Sequence, residues 1–305
     1  MIEINHRSLH GWLNILKPPG MTSHDVVAAV RRLAPKGTKV GHIGTLDPDA
    51  SGVLPLCLGK ATRLSRFAQG HEKSYVFEAV FGIETDTLDA GGKITRTSPT
   101  NIAAEDIEAV LPRFIGVIKQ HPPRFSAVHH AGRRAYRLAQ QGEEFTLPAR
   151  TVTIRELRLL DFRCEAQPAA RFEVICSSGT YIRSLCADIG HALGCGAHVA
   201  LLVRKAVGPF RLEQARTLEE LQQGDISEAL LPLDWPLEHL PAVALSPEQA
   251  WCFCAGTALA GIALAEPKYF RVYIQEEEAL IGIGNKEDTL LKPEVVISSA
   301  QIHSL

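Results

Sequence analysis

Residues 41–60 read GHIGTLDPDASGVLPLCLGK, and no other stretch of the chain is as unusual in composition. Four glycines and two prolines surround Asp47 and Asp49. Glycine permits backbone conformations with positive φ, and Pro48 disfavours the helical region for the residue before it. We therefore predict an irregular loop that holds the Asp47 carboxylate. A structural explanation, an Asx turn or a helix cap, remains open for this Asp-Pro pair.

The overall composition is that of a globular protein. The chain has 305 residues, of which 46% are hydrophobic and 22% are charged, which is enough for one large domain or two unequal ones. The 24 glycines and 18 prolines are dispersed, which excludes collagen-like and coiled-coil classes. Residues 249–265 are uncharged but short for a membrane span, and the N-terminal residues lack the apolar core of a secretory signal. We expect a cytoplasmic protein that does not enter a membrane.

Cysteine and histidine patterns give no support for a metal or a cofactor. The seven cysteines form no C-x-x-C pair, and the twelve histidines form no H-E-x-x-H motif. No phosphate-binding P-loop, no G-x-S-x-G elbow and no nicotinamide-binding G-x-G-x-x-G occurs either. The sequence therefore predicts reduced thiols, no metal and no cofactor.

Charge is distributed unevenly along the chain. The net charge is −2, but residues 241–305 hold four basic and eight acidic residues, so the remainder is slightly basic. Residues 109–142, which we call the basic stretch, hold no acidic residue and six basic ones: Arg113, Lys119, Arg124, Arg133, Arg134 and Arg137. Residues 26–46 also lack acidic residues. Such stretches suit contacts to nucleic-acid phosphates, although solvated surfaces explain them equally well.

Hydrophobic periodicity indicates an α+β fold around a mixed, mostly antiparallel sheet. We predict helices at residues 23–34, 100–111, 134–141, 180–193 and 246–256, and strands at 74–81, 151–162, 171–176, 270–274, 280–283 and 295–298. Ser23 is expected to cap the first helix. Three prolines within residues 232–241 mark a boundary. We therefore divide the chain into a domain at residues 1–238 and a small β-rich domain at residues 239–305.

Several segments resemble, in the same order, the motifs of TruB-type tRNA pseudouridine synthases. Residues 41–55 resemble the catalytic motif of that family, and the resemblance extends over about residues 11–210 through these further segments: KPPGMTS at 17–23, KSY at 73–75, PPRFSA at 122–127, SGTYIRS at 178–184 and GCGAH at 194–198. Residues 239–305 look like a shortened PUA-type RNA-binding module. The resemblance implies a pseudouridine synthase fold with a small C-terminal PUA-like domain.

The family resemblance also implies an activity and three catalytic residues. It implies isomerisation of the uridine at position 55 of the tRNA T loop, with Asp47 as the catalytic aspartate. The carboxylate could attack C1′, stabilise positive charge there or remove a ribose proton, and these roles stay open. Arg183 is expected to hold the Asp47 carboxylate, and Tyr75 to stack on the uracil and assist proton removal at C5.

Four further residues are implied as substrate-binding residues. Tyr181 and Leu202 are expected to line the pocket for the flipped base, and His42 to occupy the space that the base leaves in the RNA. Lys17 is expected to support the active-site loop or to contact phosphates. The basic stretch would grip the T arm of tRNA, and we expect a monomer with no obligate protein partner.

Two other functions compete with the isomerase hypothesis. A non-catalytic RNA-folding protein could keep the fold without modifying RNA, but Asp47, Tyr75 and Arg183 argue against this as the only role; folding of tRNA could accompany catalysis. An aspartate-dependent hydrolase would need a second acid or a metal at a matching position, and the sequence offers neither.

Overall fold

The computed structural model describes residues 9–126, 128–130, 132–264, 266–275 and 279–297. The strands are β1 (Gly11–Lys17), β2 (Val40–His42), β3 (Ser51–Leu58), β4 (Lys73–Phe81), β5 (Ile83–Thr85), β6 (Ile94–Thr97), β7 (Gly116–Gln120), β8 (His129–His130), β9 (Arg133–Arg134), β10 (Arg150–Arg163), β11 (Ala169–Cys176), β12 (Ala197–Val207), β13 (Phe210–Arg211), β14 (Ala242–Leu245), β15 (Tyr269–Ile274), β16 (Ala279–Glu287) and β17 (Leu290–Val296). The helices are α1 (Ser23–Leu33), α2 (Ala104–Val110), α3 (Ala135–Gln140), α4 (Ile182–Ala192), α5 (Leu218–Gln223) and α6 (Pro247–Cys254).

A large mixed sheet organises most of the chain. Its strand order is β1-β3-β12-β4-β11-β10-β7, with β2 on β3 and β13 on β12. Neighbouring strands are antiparallel except β3 and β12, which run parallel with Val203 opposite Ser51 and Arg204 opposite Gly52. The α+β class and the mixed, mostly antiparallel sheet predicted from the sequence are confirmed.

The core of the large sheet is built from alternating strand residues and one apolar helix face. In β4, Tyr75 and Phe77 are buried on the same side, as the alternation predicts, and Phe77 stacks on Phe172 of β11 with ring centroids 5.0 Å apart. Helix α4 packs its apolar residues into the same cluster. Arg183 is the second residue of α4, so the packing of this helix against the sheet also fixes the position of Arg183.

No helix of the described residues is long and apolar enough to cross a membrane.

A second sheet follows near the C-terminus, in the order β14-β15-β16-β17, with α6 packed against it. An apolar cluster joins the two sheets: its members include Trp12, Val53 and Phe210 from the large sheet and Ile283, Val295 and Ile297 from the C-terminal part. Phe67 contacts Tyr269 edge-on, with ring centroids 5.1 Å apart. The small C-terminal β sheet is confirmed, while the boundary at residue 238 and the PUA-like assignment stay predictions.

The irregular loop predicted around Asp47 is present, and it is shorter than the quoted stretch of residues 41–60. Only residues 43–50 form a loop, because β2 precedes it and β3 follows it. Strand β3 is almost wholly buried, so its sequence is a continuous apolar run without the alternation of a half-buried strand. Strand β1 is absent from the sequence prediction for the same reason, since it is almost wholly buried. Strand β12 is also absent from that prediction; its burial does not alternate, because buried residues at both ends flank a partly exposed middle.

The predicted helices are present with shifted ends. Helix α1 is capped by Thr22 and not by Ser23: Thr22 and Asp25 form a capping box, with the Asp25 amide 3.0 Å from the Thr22 hydroxyl. Helix α2 begins at Ala104, four residues later than predicted. The strand predicted at 295–298 corresponds to the end of β17, and residue 298 lies outside the described residues.

Candidate active site

A buried arginine holds the loop at residues 43–50 in place. Arg204 of β12 is completely buried. Its guanidinium donates from Nη2 to the Gly44 carbonyl at 2.8 Å, from Nη1 to the Thr45 carbonyl at 3.2 Å and from Nε to the Val53 carbonyl at 2.7 Å. Gly44 has φ +72°, a conformation that favours glycine. The loop backbone is thus tied to a strand that lies more than 150 residues further along the chain.

Lys17 at the end of β1 fixes the other side of the same loop. It is completely buried, and its ammonium donates to the carbonyls of Pro18 at 2.7 Å, Met21 at 2.6 Å and Pro48 at 2.8 Å. These three acceptors use all its hydrogens. Lys17 therefore positions the backbone next to Asp47, and its ammonium does not reach the surface.

Ser23 completes the attachment of the loop. Its hydroxyl accepts from the Leu46 amide at 2.9 Å and donates to the Leu46 carbonyl at 3.0 Å. Ser23 thus bonds to the loop and leaves the helix cap to Thr22. With both neighbours of Asp47 held by buried side chains, the position of the aspartate is fixed before any ligand binds.

Asp47 forms an ion pair with Arg183. The distance from Asp47 Oδ2 to Arg183 Nε is 2.9 Å. The side chain of Asp47 is 41% exposed, whereas that of Arg183 is 7% exposed. The carboxylate is therefore accessible to a ligand while its partner is not. A planar guanidinium holds a carboxylate in one orientation, as expected for Arg183 from the family resemblance.

The other donors of Arg183 are also used. Nη1 lies 3.4 Å from Asp89 Oδ2 and donates to the Thr87 carbonyl at 2.8 Å, while Nη2 donates to the Phe125 carbonyl at 3.0 Å. Sequence reasoning missed Asp89. The turn that carries it, DTLDAGG at residues 86–92, is rich in Asp and Gly, and this composition was the available signal for a loop with a functional carboxylate.

Replacing Asp89 by asparagine is expected to slow the isomerisation that the family resemblance implies, without weakening RNA binding. The neutral amide would no longer oppose the Arg183 charge, so the guanidinium would be held less firmly beside Asp47. Changes of this kind behind a reacting group cost about 10- to 100-fold. Single-turnover rates and RNA binding measure the effect, with the exposed Asp49→Asn as the control. Equal losses in the two variants would show that Asp89 has no specific role.

A cavity of about 270 Å³ opens beside Asp47. Its walls include Tyr75, Tyr181, Leu202 and Lys73. The volume lies near the lower end of small-molecule sites, which span about 300 to 1,000 Å³. A cavity of this size suits one small planar group presented to the Asp47 carboxylate.

Tyr75 forms an aromatic wall of the cavity, and its phenol is uncharged at neutral pH. Its side chain is buried, and Arg204 is its partner across β4 and β12. Burial raises the pKa of Tyr75 above its ordinary value, and the nearby positive charge of Arg204 opposes this only in part. The phenol is therefore protonated at neutral pH, which favours stacking and hydrogen-bond donation.

Tyr181 and Leu202 also line this cavity. Tyr181 immediately precedes α4, and its backbone exchanges two hydrogen bonds with the Gln120 amide, at 2.8 and 3.0 Å. Burial raises the pKa of the Tyr181 hydroxyl. Leu202 lies two residues before Arg204 on β12. Asp47, Tyr75, Arg183, Tyr181 and Leu202 are thus brought together around one cavity.

His42 and Lys17 are not brought into this cavity. Lys17 is buried beneath the loop, as described. His42 lies at the end of β2 and faces a separate groove of about 500 Å³ that Arg31 and Lys39 also line. Its Nδ1 is buried without a partner among the described residues. Burial, and secondarily the charge of Arg204, lower the pKa of His42, so the ring is neutral at neutral pH.

The basic stretch borders the cavity. All six basic side chains named above are exposed. Arg124 donates to the Glu143 carbonyl at 2.7 Å, and Arg133 pairs with the Glu143 carboxylate at 2.8 Å. The stretch meets the active site directly, because the Phe125 carbonyl accepts from Arg183 and Ser126 lines the cavity. Within the described part of the chain, no group of three or more His, Cys, Asp or Glu residues could hold a metal ion.

Two solved structures share this fold over nearly the whole chain. One is an H/ACA RNP bound to a substrate RNA containing 2′-deoxyuridine, with a TM-score of 0.71 and 27% identity over 95% of this chain and 86% of the matched one. The other is a Cbf5-Nop10-Gar1 complex, with a TM-score of 0.72 and 28% identity over 95% of this chain and 85% of the matched one.

The sequence matches define the class of protein as pseudouridylate synthases, which are isomerases. Residues 31–182 match the N-terminal domain of TruB family pseudouridylate synthases. Residues 183–238 match the C-terminal domain of tRNA pseudouridylate synthase B, and residues 241–297 match the C-terminal region of pseudouridine synthase II TruB. The chain belongs to the TruB family.

Curated relatives agree with this assignment over almost the full length. A tRNA pseudouridine synthase B from Syntrophomonas wolfei is 42% identical over 93% of this chain and 97% of its own length. Proteins of the same name from Heliobacterium modesticaldum and Pseudomonas putida are 40% and 42% identical over 97% and 96% of this chain and 98% and 97% of their own lengths. The family resemblance and the enzyme class predicted from the sequence are confirmed.

Proposed function

We propose that the protein converts the uridine at position 55 of the tRNA T loop to pseudouridine, with Asp47 as the catalytic residue. The observation that carries the proposal is the Asp47–Arg183 pair at 2.9 Å, whose exposed carboxylate opens into the cavity. Relatives that match over almost their whole length are named tRNA pseudouridine synthase B, which supports tRNA as the substrate.

The chemistry requires a fixed carboxylate beside the ribose. The N1–C1′ bond breaks with its electron pair on the uracil, a C5–C1′ bond forms, C5 loses its proton and N1 gains one. No atoms are lost. Positive charge that develops at C1′ is stabilised by an anion, and Asp47 is the carboxylate that the cavity presents. Three roles of Asp47 are compatible with this chemistry: bonding to C1′, stabilising its positive charge, or removing a ribose proton.

The uridine reaches Asp47 by leaving its stack in the T loop. Flipping a base costs a few kcal/mol, which stacking on protein groups offsets. Tyr75, Tyr181 and Leu202 form the walls against which a uracil ring would pack. His42 lines a separate groove, where it would contact the RNA beside the flipped nucleotide.

The exposed basic stretch would grip the phosphates of the T arm. Affinity for tRNA should then fall steeply with added salt, because bound phosphates release their counterions. The shape of the RNA and the flipped base would allow the protein to discriminate between RNA molecules.

We expect a monomer that acts in the cytoplasm without an obligate protein partner. Sedimentation of the free protein and of its tRNA complex would test the oligomeric state.

Replacing Tyr75 by phenylalanine separates its two proposed roles. Because the phenol is neutral, it can assist removal of the C5 proton only as a relay that passes its own proton on. If it does so, single-turnover conversion should slow by about 100-fold, the lower range for proton-transfer catalysis, while stacking and RNA affinity persist. Tyr75→Leu should additionally weaken binding of the flipped base. A Tyr75→Phe variant with the wild-type rate would leave Tyr75 with stacking alone.

The proposal is tested by mapping pseudouridine in an unmodified tRNA transcript. The transcript is incubated with the protein in the presence of a chelator, and pseudouridine is located by carbodiimide-dependent stops of reverse transcription. We expect one new stop at position 55, absent in a transcript with cytidine there. Binding without any stop would overturn the proposed reaction for this substrate, and a stop elsewhere would overturn the proposed position.

Assistance of tRNA folding is a second role that the same surface supports. The six basic side chains are exposed and none of them lines the cavity beside Asp47, so RNA binding does not require catalysis. Native gel refolding of a tRNA transcript with the Asp47→Asn variant tests this role. Acceleration by the inactive variant is the expected result, and no acceleration would reject it.

A further inference from the structure

Lys73 lines the cavity, but no step of the reaction described above assigns it a role. It is the first residue of β4, and its side chain lies against Gly44 of the loop that carries Asp47. A Cβ placed on Gly44 would lie 3.3 Å from Lys73 Cε and 3.8 Å from Nζ. Lys73 and Tyr75 are two residues apart on β4, so both project from the same face, towards the cavity.

The Lys73 ammonium has unused donors. Among the described residues it has no hydrogen-bond acceptor, and no carboxylate lies within ion-pair distance. The other cations around the loop already have partners. Lys17 and Arg204 donate hydrogen bonds to backbone carbonyls, and Arg183 forms ion pairs with Asp47 and Asp89. Burying an ammonium without hydrogen-bond acceptors costs free energy. An oxygen atom of a ligand in the cavity would supply the missing acceptor.

The electrostatic surroundings of Lys73 favour an anionic ligand. Burial lowers the pKa of Lys73 to about 8, and the neighbouring Arg204 guanidinium contributes to this by repulsion. The group is still an ammonium at neutral pH. An anion between the two cations would relieve their repulsion and the cost of burial together.

The reacting uracil becomes such an anion. When the N1–C1′ bond breaks, its electron pair stays on the base, and the charge spreads over N1, O2 and O4. We propose that the Lys73 ammonium donates a hydrogen bond to a carbonyl oxygen of the flipped uracil and stabilises the negative charge of the detached base. This rests on the proposed function. Asp47 and Lys73 thus act on opposite partners of the breaking bond, the sugar and the base.

The first test compares Lys73→Met with Lys60→Met. Lys60 is also half-buried but lies outside the cavity, so its variant should keep the wild-type rate. Lys73→Met should lower the single-turnover rate at saturating tRNA by about 100-fold, as for loss of one charge-stabilising donor, with unchanged Kd. An unchanged rate would overturn the proposal. So would a weaker Kd with an unchanged rate, which indicates a phosphate contact.

A second substrate separates this role from a structural one. With 5-fluorouridine at position 55, the fluorine stabilises the uracil anion, so cleavage should depend less on Lys73. The loss of rate in Lys73→Met, followed as disappearance of the starting nucleoside, should therefore shrink. An equal loss on both substrates would show a structural role and overturn the proposal. Lys73→Gln provides the same comparison if Lys73→Met does not fold. A wild-type protein that does not convert the unmodified uridine at position 55 would reject the proposed function instead.

Discussion

Replacement of Asp47 by asparagine should lower the single-turnover rate of pseudouridine formation by more than about 10⁴-fold, as for loss of an essential reacting group. The substitution keeps the shape of the side chain and removes its charge, so neither bonding to C1′ nor stabilisation of positive charge there remains. Affinity for tRNA should not change, because phosphate contacts dominate it. Rapid-mixing single-turnover assays and filter binding at matched salt concentrations measure the two quantities.

Asp49 provides the matched control for this experiment. It lies two residues further on the same loop, its side chain is exposed, and it does not line the cavity beside Tyr75. Asp49→Asn should therefore react close to the wild-type rate. Similar losses in the two variants would mean that the charge of the loop, and not the Asp47 carboxylate, is what the reaction needs.

Replacement of Arg204 by methionine should destabilise the fold more than any other single change at the site. It leaves the carbonyls of Gly44, Thr45 and Val53 buried without donors. Unsatisfied buried groups cost about 1 to 3 kcal/mol each, so the free energy of unfolding should fall by at least about 3 kcal/mol. Urea unfolding followed by circular dichroism measures this loss.

Arg211 offers a control of the same residue type. Its exposed guanidinium donates to the Gly208 carbonyl at 2.6 Å, and water can replace that bond. Arg211→Met should change the free energy of unfolding by less than about 1 kcal/mol. If Arg204→Met lowered the free energy of unfolding by no more than Arg211→Met does, the loop at residues 43–50 would not depend on its attachment to β12.

The residues of the site could be predicted from sequence where a motif marked them. Five of the seven predicted site residues line one cavity, and four of these five, Asp47, Tyr75, Tyr181 and Arg183, lie in segments quoted above as resembling family motifs. Asp89 and Lys73 were not assigned roles. Their positions depend on contacts to Arg183 and Gly44, which are distant in sequence, and no local pattern encodes such a contact.

The fold was predictable where strands are half-buried. Strands β4, β10 and β11 alternate in burial, and their positions were predicted within a few residues. Strands β1 and β3 are buried on nearly all sides, so their sequences lack a period. The parallel pairing of β3 with β12 is a long-range feature that local propensity does not contain.

The position of β12 between β3 and β4 has a consequence for how the protein is made. These two strands follow one another in the chain, yet β12, emerging from the ribosome more than 100 residues later, is the strand that joins them. Until then the nascent chain holds two unconnected sheet edges, both rich in apolar residues. The enzyme is therefore expected to stay inactive during most of its own translation, and its incomplete chain to be a substrate for chaperones.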